Sequence, residues 1–152
     1  MTHATAFKIP ISVLVVIHTP DLQVLVLERS SAPGFWQSVT GSVDHLDEPL
    51  RDTALREVRE ETGIDARRAG HVLTDWQCTN RFEIYQRWVS RYAPGVTHNT
   101  EHVWGLTIPQ PVVPLLTEHT AYEWLPWRDA ADKCFSWSNA EAIRKLPEQL
   151  AR

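Results

Sequence analysis

Two hydrophobic rhythms divide the chain. Short apolar runs bounded by turn residues recur at 8–19, 22–28 and 35–43, through 72–92, and again at 101–108 and 122–125. Runs of this length, rich in β-branched and aromatic residues, predict strands. Pro20-Asp21 marks a turn between the first two, so they are predicted to pair antiparallel. A helical period occurs only between and after these runs. Leu50, Ala54, Leu55 and Val58 give one apolar side to a helix that Pro49 opens, with Glu48 or Asp47 at its cap, and Gly63 closes. A short helix from Pro126 to about Lys133 follows the last strand. Ser136-Trp137-Ser138-Asn139 caps a final helix over 140–150. Strands, one helix, more strands and then helices predict an α/β fold, a mixed sheet with helices on both faces rather than a doubly wound parallel sheet.

Composition narrows this picture. A chain of 152 residues with 43% apolar and 22% charged residues suits one domain, 1–152, with an ordinary core. The net charge of −4 argues against nucleic-acid backbone as the partner, though not against a phosphorylated small molecule that brings a cation. The apolar run 11–17 is seven residues long and lacks a cleavage site, so it reads as a buried strand and not a signal core. No run is long enough to span a bilayer, and a cytoplasmic location is expected. Cys78 and Cys134 lie outside any metal-ligand spacing and read as thiols of a reducing compartment. His98 and His102 are four apart, but in an extended segment, which disfavours a zinc pair. Composition leaves the oligomeric state open.

The candidate chemistry lies in the first helix. Glu57, Glu60 and Glu61 fall at i, i+3 and i+4, within roughly a quarter to a third of the helix circumference. They crowd a C-terminus whose dipole already disfavours acids. A hard divalent cation reverses that penalty. The plain alternative is a solvated face on which Arg56 and Arg59 pair with neighbouring acids, common for such charge runs. The surrounding frame weighs against it: Gly41, Glu48, Arg56-Glu57-Val58, Glu60-Glu61 and Gly63-Ile64. This frame resembles the Nudix box, complete from Glu48 to Ile64, with one extra residue between Gly41 and Glu48 that a loop can absorb. Gly41, Glu48, Arg56 and Gly63 are then structural, with Glu48 and Arg56 expected to pair.

The resemblance implies a Nudix-type α/β/α sandwich and a pyrophosphohydrolase. Segments beyond the box (KIPISVLVVI, FWQSVTGSV, RFEIY, RYAPGVTHNTE, TEHTAYEWL and SWSN) are similar to the family branch that hydrolyses dihydroneopterin triphosphate to the monophosphate and pyrophosphate in folate synthesis. That similarity implies Mg²⁺, with Mn²⁺ able to substitute, held by Glu57, Glu60, Glu61 and Glu118. The general base is left open between Glu118 and a box Glu. It also implies substrate contacts from Lys8, Arg29, Thr40, Phe82, Glu83, Ile84, Tyr85 and Ser136. Trp36 and Trp137 are stacking candidates, set aside because such residues are more often core. Two other readings stand beside it: a nucleoside triphosphate pyrophosphohydrolase, and a ligand-binding module without catalysis. The retained acids speak against the latter.

Overall fold

The computed structural model describes residues 7–151. Its centre is a seven-stranded mixed sheet of β1 (Ile11–His18), β2 (Gln23–Arg29), β3 (Trp36–Gln37), β4 (Val39–Ser42), β5 (Val72–Glu83), β6 (His98–Thr107) and β7 (His119–Pro126). β1 runs parallel to β6 from Ile11 opposite Thr100 to His18 opposite Thr107. The other strand pairings are antiparallel. Helix α1 (Leu50–Thr62) covers one face, and α2 (Trp127–Lys133), α3 (Trp137–Arg144) and α4 (Leu146–Leu150) cover the other. This is the predicted arrangement of layers.

β1 explains why the layers hold. Val13, Val15 and Ile17 pack toward α1, while Leu14 and Val16 pack toward α2–α4. A strand buried on both faces must be apolar throughout, and so it reads as an unbroken run. Each such side chain contributes about 1.5–3 kcal/mol on leaving water. No helix among the described residues is long and apolar enough to cross a membrane. Cys78 and Cys134 are free thiols.

Several predicted elements differ in detail. The run 35–43 is two strands: β3 pairs with β2, whereas β4 pairs with β1. Ser38 lies at the switch, and its N–H donates to Asn139 Oδ1 at 2.8 Å instead of to a strand. The run 72–92 is β5 alone, followed by a 3₁₀ helix over Gln86–Arg91. Phe82 and Ile84 obey a period of two, but Val89 falls out of phase with them. β6 begins at His98, three residues before the prediction, because its early inward positions are the polar Asn99 and Glu101. The final helix is divided, since Pro147 in the first turn of α4 has no N–H with which to continue α3. In α1, Pro49 itself holds the cap position without a side-chain bond, and Glu48 turns elsewhere.

Candidate active site

The change of partner at Ser38 opens the sheet between β2 and β4. Two cavities of about 410 and 580 Å³ meet there. They share a polar seam that includes Lys8, Arg29, Gln37, Thr40, Gly41 and Arg91. The larger cavity is lined by acids and the smaller by aromatic rings.

In the acidic cavity, α1 supplies Glu57 and Glu61 from successive turns. Glu61 is only 4% exposed, and its Oε1 has no hydrogen-bond partner among the described residues. Burial comes first in raising Glu61 well above the usual carboxylate range, followed by a hydrogen bond to Glu57 and the Glu57 and Glu118 charges. Burial also raises Glu57. Such a pair resists carrying two charges unless a cation lies against it. Gly41 gives Glu57 its place, because a Cβ there would overlap the Glu57 carboxyl group. Glu60 stands apart, its side chain 57% exposed and its Oε2 3.6 Å from Arg56 Nη1. Glu118 borders the same cavity from the loop before β7, and its carbonyl accepts from Ser30 Oγ at 2.6 Å. Among the described residues no three His, Cys, Asp or Glu side chains stand together closely enough to hold an ion as they are. The donors nonetheless suit a hard divalent cation: an all-oxygen set, including one buried carboxylate oxygen lacking any donor.

Arg56 holds the base of this cavity. Its Nε donates to Glu48 Oε2 at 3.2 Å and its Nη2 to Glu48 Oε1 at 2.9 Å, a two-pronged pair. Its Nη1 donates to Glu57 Oε1 at 2.7 Å and its Nη2 to Ser42 O at 3.1 Å. Glu48 also accepts from Asp44 N and Thr53 Oγ1. One guanidinium thereby joins β4, the loop and α1. The 43–49 loop between β4 and α1 has the length to take up the extra residue.

Cations line the seam. Arg29 Nε is buried without a partner among the described residues, and its guanidinium lies 4.6 Å over the Trp88 ring. Desolvation first, and then the Arg91 charge, lower both Lys8 and Arg29. Cations gathered in this way favour an anion between them. Beyond Arg29, Phe135 lies with its ring centroid 4.6 Å from Phe35 and 5.5 Å from Tyr85. Trp88 joins them, 5.6 Å from Tyr85 and 5.9 Å from Phe135. This wall can take a flat ring system, and the cations can take phosphates beside it while the acids hold a divalent cation.

A NUDIX domain model matches residues 8–146, a span that includes every one of these elements except α4 beyond its first residue. The chain belongs to the Nudix family. It is 46% identical over 141 residues to dihydroneopterin triphosphate diphosphatase of Escherichia coli (strain K12), covering 92% of this chain and 93% of that protein. The protein of the same name from Haemophilus influenzae is 39% identical over 142 residues, covering 93% and 89%. The structure of the E. coli dihydroneopterin triphosphate pyrophosphohydrolase superposes with a TM-score of 0.87 at 46% identity, covering 91% of this chain and 95% of that one.

The Nudix box residues and the other predicted positions fall as follows. Glu57, Glu60, Glu61 and Glu118 border the acidic cavity. Phe82, Glu83, Ile84, Tyr85 and Ser136 border the aromatic one, and Lys8, Arg29 and Thr40 border both. Ser136 has a second task, since its Oγ accepts from Asn139 N at 3.2 Å and caps α3. Gly63 closes α1 with φ 75°, a left-handed conformation that favours glycine. Sequence reading missed Trp88, Arg91 and Phe135. Trp137, weighed as a stacking partner or core, is 52% exposed on the aromatic cavity. It also missed His119, whose Nε2 is 3.8 Å from Glu61 Oε1 and which burial holds below its usual pKa. Only the neighbouring Glu118 signalled His119. Asn99 and Glu101 end the RYAPGVTHNTE segment, but no charge pattern or spacing marked them as site residues.

Proposed function

We propose that this Nudix hydrolase converts dihydroneopterin triphosphate to dihydroneopterin monophosphate and pyrophosphate, with Mg²⁺ as the metal and in the cytoplasm. The observation that carries the reading is the pairing of an aromatic cavity with an acidic one across a cationic seam. The names of the 46% and 39% identical relatives favour the same substrate. Tyr85, Trp88 and Phe135 hold the flat bicycle by stacking, while Lys8, Arg29 and Arg91 neutralise phosphate oxygens. Thr40 presents its hydroxyl to the same phosphates. Glu57 and Glu61 hold the metal, with Glu118 and the more exposed Glu60 completing the acidic surround. When bound, such an ion neutralises polyphosphate charge and makes water a better nucleophile. Arg56 keeps Glu57 oriented and Gly41 leaves it room.

A substrate panel with purified protein and Mg²⁺ tests this reading. Catalytic efficiency should be highest on dihydroneopterin triphosphate, compared with dATP and 8-oxo-dGTP, and the phosphorus product should be pyrophosphate. Release of orthophosphate alone, or a clear preference for a nucleoside triphosphate, would overturn it.

A further inference from the structure

Two buried oxygens on the wall of the aromatic cavity lack partners among the described residues. Val103 of β6 packs among residues of α2–α4, and the period of two puts Asn99 and Glu101 on the same sheet face. Each is 3% exposed and borders the cavity. Asn99 Nδ2 donates to Ser12 Oγ at 2.8 Å, but Asn99 Oδ1 receives nothing. Ser138 and Asn80 favour the charged form of Glu101, yet its Oε1 is also without a donor among the described residues. Burial pushes Glu101 up to about 6. An unsatisfied carboxylate enclosed in this way costs stability, and an apolar residue continuing the Val103 stripe would avoid the cost. A ligand that brings N–H donors removes it.

We propose that Glu101 is the specificity-determining residue of the aromatic cavity, its carboxylate accepting the adjacent N–H groups of a 2-amino-4-oxopyrimidine ring edge, with Asn99 Oδ1 as a second acceptor. The assignment rests on the pterin reading above and extends it to one edge of the ring. Tyr85, Trp88 and Phe135 hold the faces of the ring, the seam at Arg29 and Thr40 receives the phosphates, and Glu101 reads a ring edge. Pterin and guanine both present this pair of donors. Adenine, with an acceptor next to its amino group, does not.

The test compares wild type and Glu101→Gln, which keeps the shape but exchanges an acceptor for a donor. Substrates are dihydroneopterin triphosphate, dGTP and dATP with Mg²⁺. Binding of unphosphorylated neopterin is followed separately by fluorescence in EDTA. The ratio of kcat/KM on the pterin triphosphate to that on dATP should fall about 100-fold, the dGTP-to-dATP ratio should fall with it, and neopterin affinity should drop similarly. Unchanged ratios and unchanged neopterin affinity in a folded variant would overturn the proposal. Should Glu101→Gln not fold, wild type alone decides. It should bind neopterin about 100-fold more tightly than the 2-oxo analogue lacking the amino group, and equal binding would overturn the proposal. A wild type that hydrolyses dGTP but not the pterin triphosphate would refute the pterin reading, while a falling dGTP-to-dATP ratio in the variant would still support Glu101.

Discussion

At Glu61 two demands oppose each other. The helix buries the carboxylate beside Glu57, which favours a proton, whereas a metal site needs both groups charged. Glu57→Gln or Glu61→Gln should therefore lower turnover by about 10³-fold or more, because the ion supplies several kcal/mol of charge stabilisation. The fold should survive, as judged by circular dichroism. Near-normal rates in both variants would remove the case for a metal held there. Gly41→Ala makes a subtler test, because the new methyl group displaces the Glu57 carboxyl and leaves the core alone. We expect turnover to fall about 10²-fold with Tm almost unchanged.

The clamp between α1 and its preceding loop depends on Arg56 and Glu48. The Arg56 guanidinium, through its hydrogen bonds, holds Glu48 at about 2 rather than its ordinary 4.5. The unfolded chain takes up this proton at higher pH than the folded chain. Stability from the pair is thus complete above about 4.5 and is lost as pH falls toward about 2. Acid unfolding monitored by tryptophan fluorescence should show this loss in wild type and not in Glu48→Gln. Arg56→Ala should cost about 2–3 kcal/mol in urea denaturation, since it leaves the Glu48 carboxylate without its charged partner. The same clamp holds Glu48 on Arg56 while Gly41 sits in β4, so a loop between them can lengthen without moving either.

Across the whole molecule, the sheet joins two cores. Because β1 and β2 send alternate side chains to both faces, Leu106→Ala on the α1 side and Ile143→Ala on the α3 side should each cost about 2–5 kcal/mol. Both should unfold in one urea transition, and separate transitions would show that the faces are independent. Mg²⁺ added to EDTA-stripped protein should raise Tm, by about 2.7 kcal/mol of stability at a hundred times Kd, and Glu61→Gln should lose that gain.

The box was legible from Glu48 to Ile64 because a helix arranges its residues by local geometry alone. Glu57 and Glu61 one turn apart, and the Gly63 stop, follow from spacing and backbone sterics. β1 was legible for a related reason, since burial on both faces requires an unbroken apolar run. The sequence by itself therefore determined the layers, the acidic helix and the family. The tertiary structure alone decided that β3 and β4 part at Ser38, that Glu60 turns to solvent, and that Trp88, Phe135 and Glu101 from distant segments face one cavity. These depend on contacts between residues tens of positions apart, which no local period encodes. A buried acid in a strand resembles a break in the pattern until the opposing wall of its cavity is known.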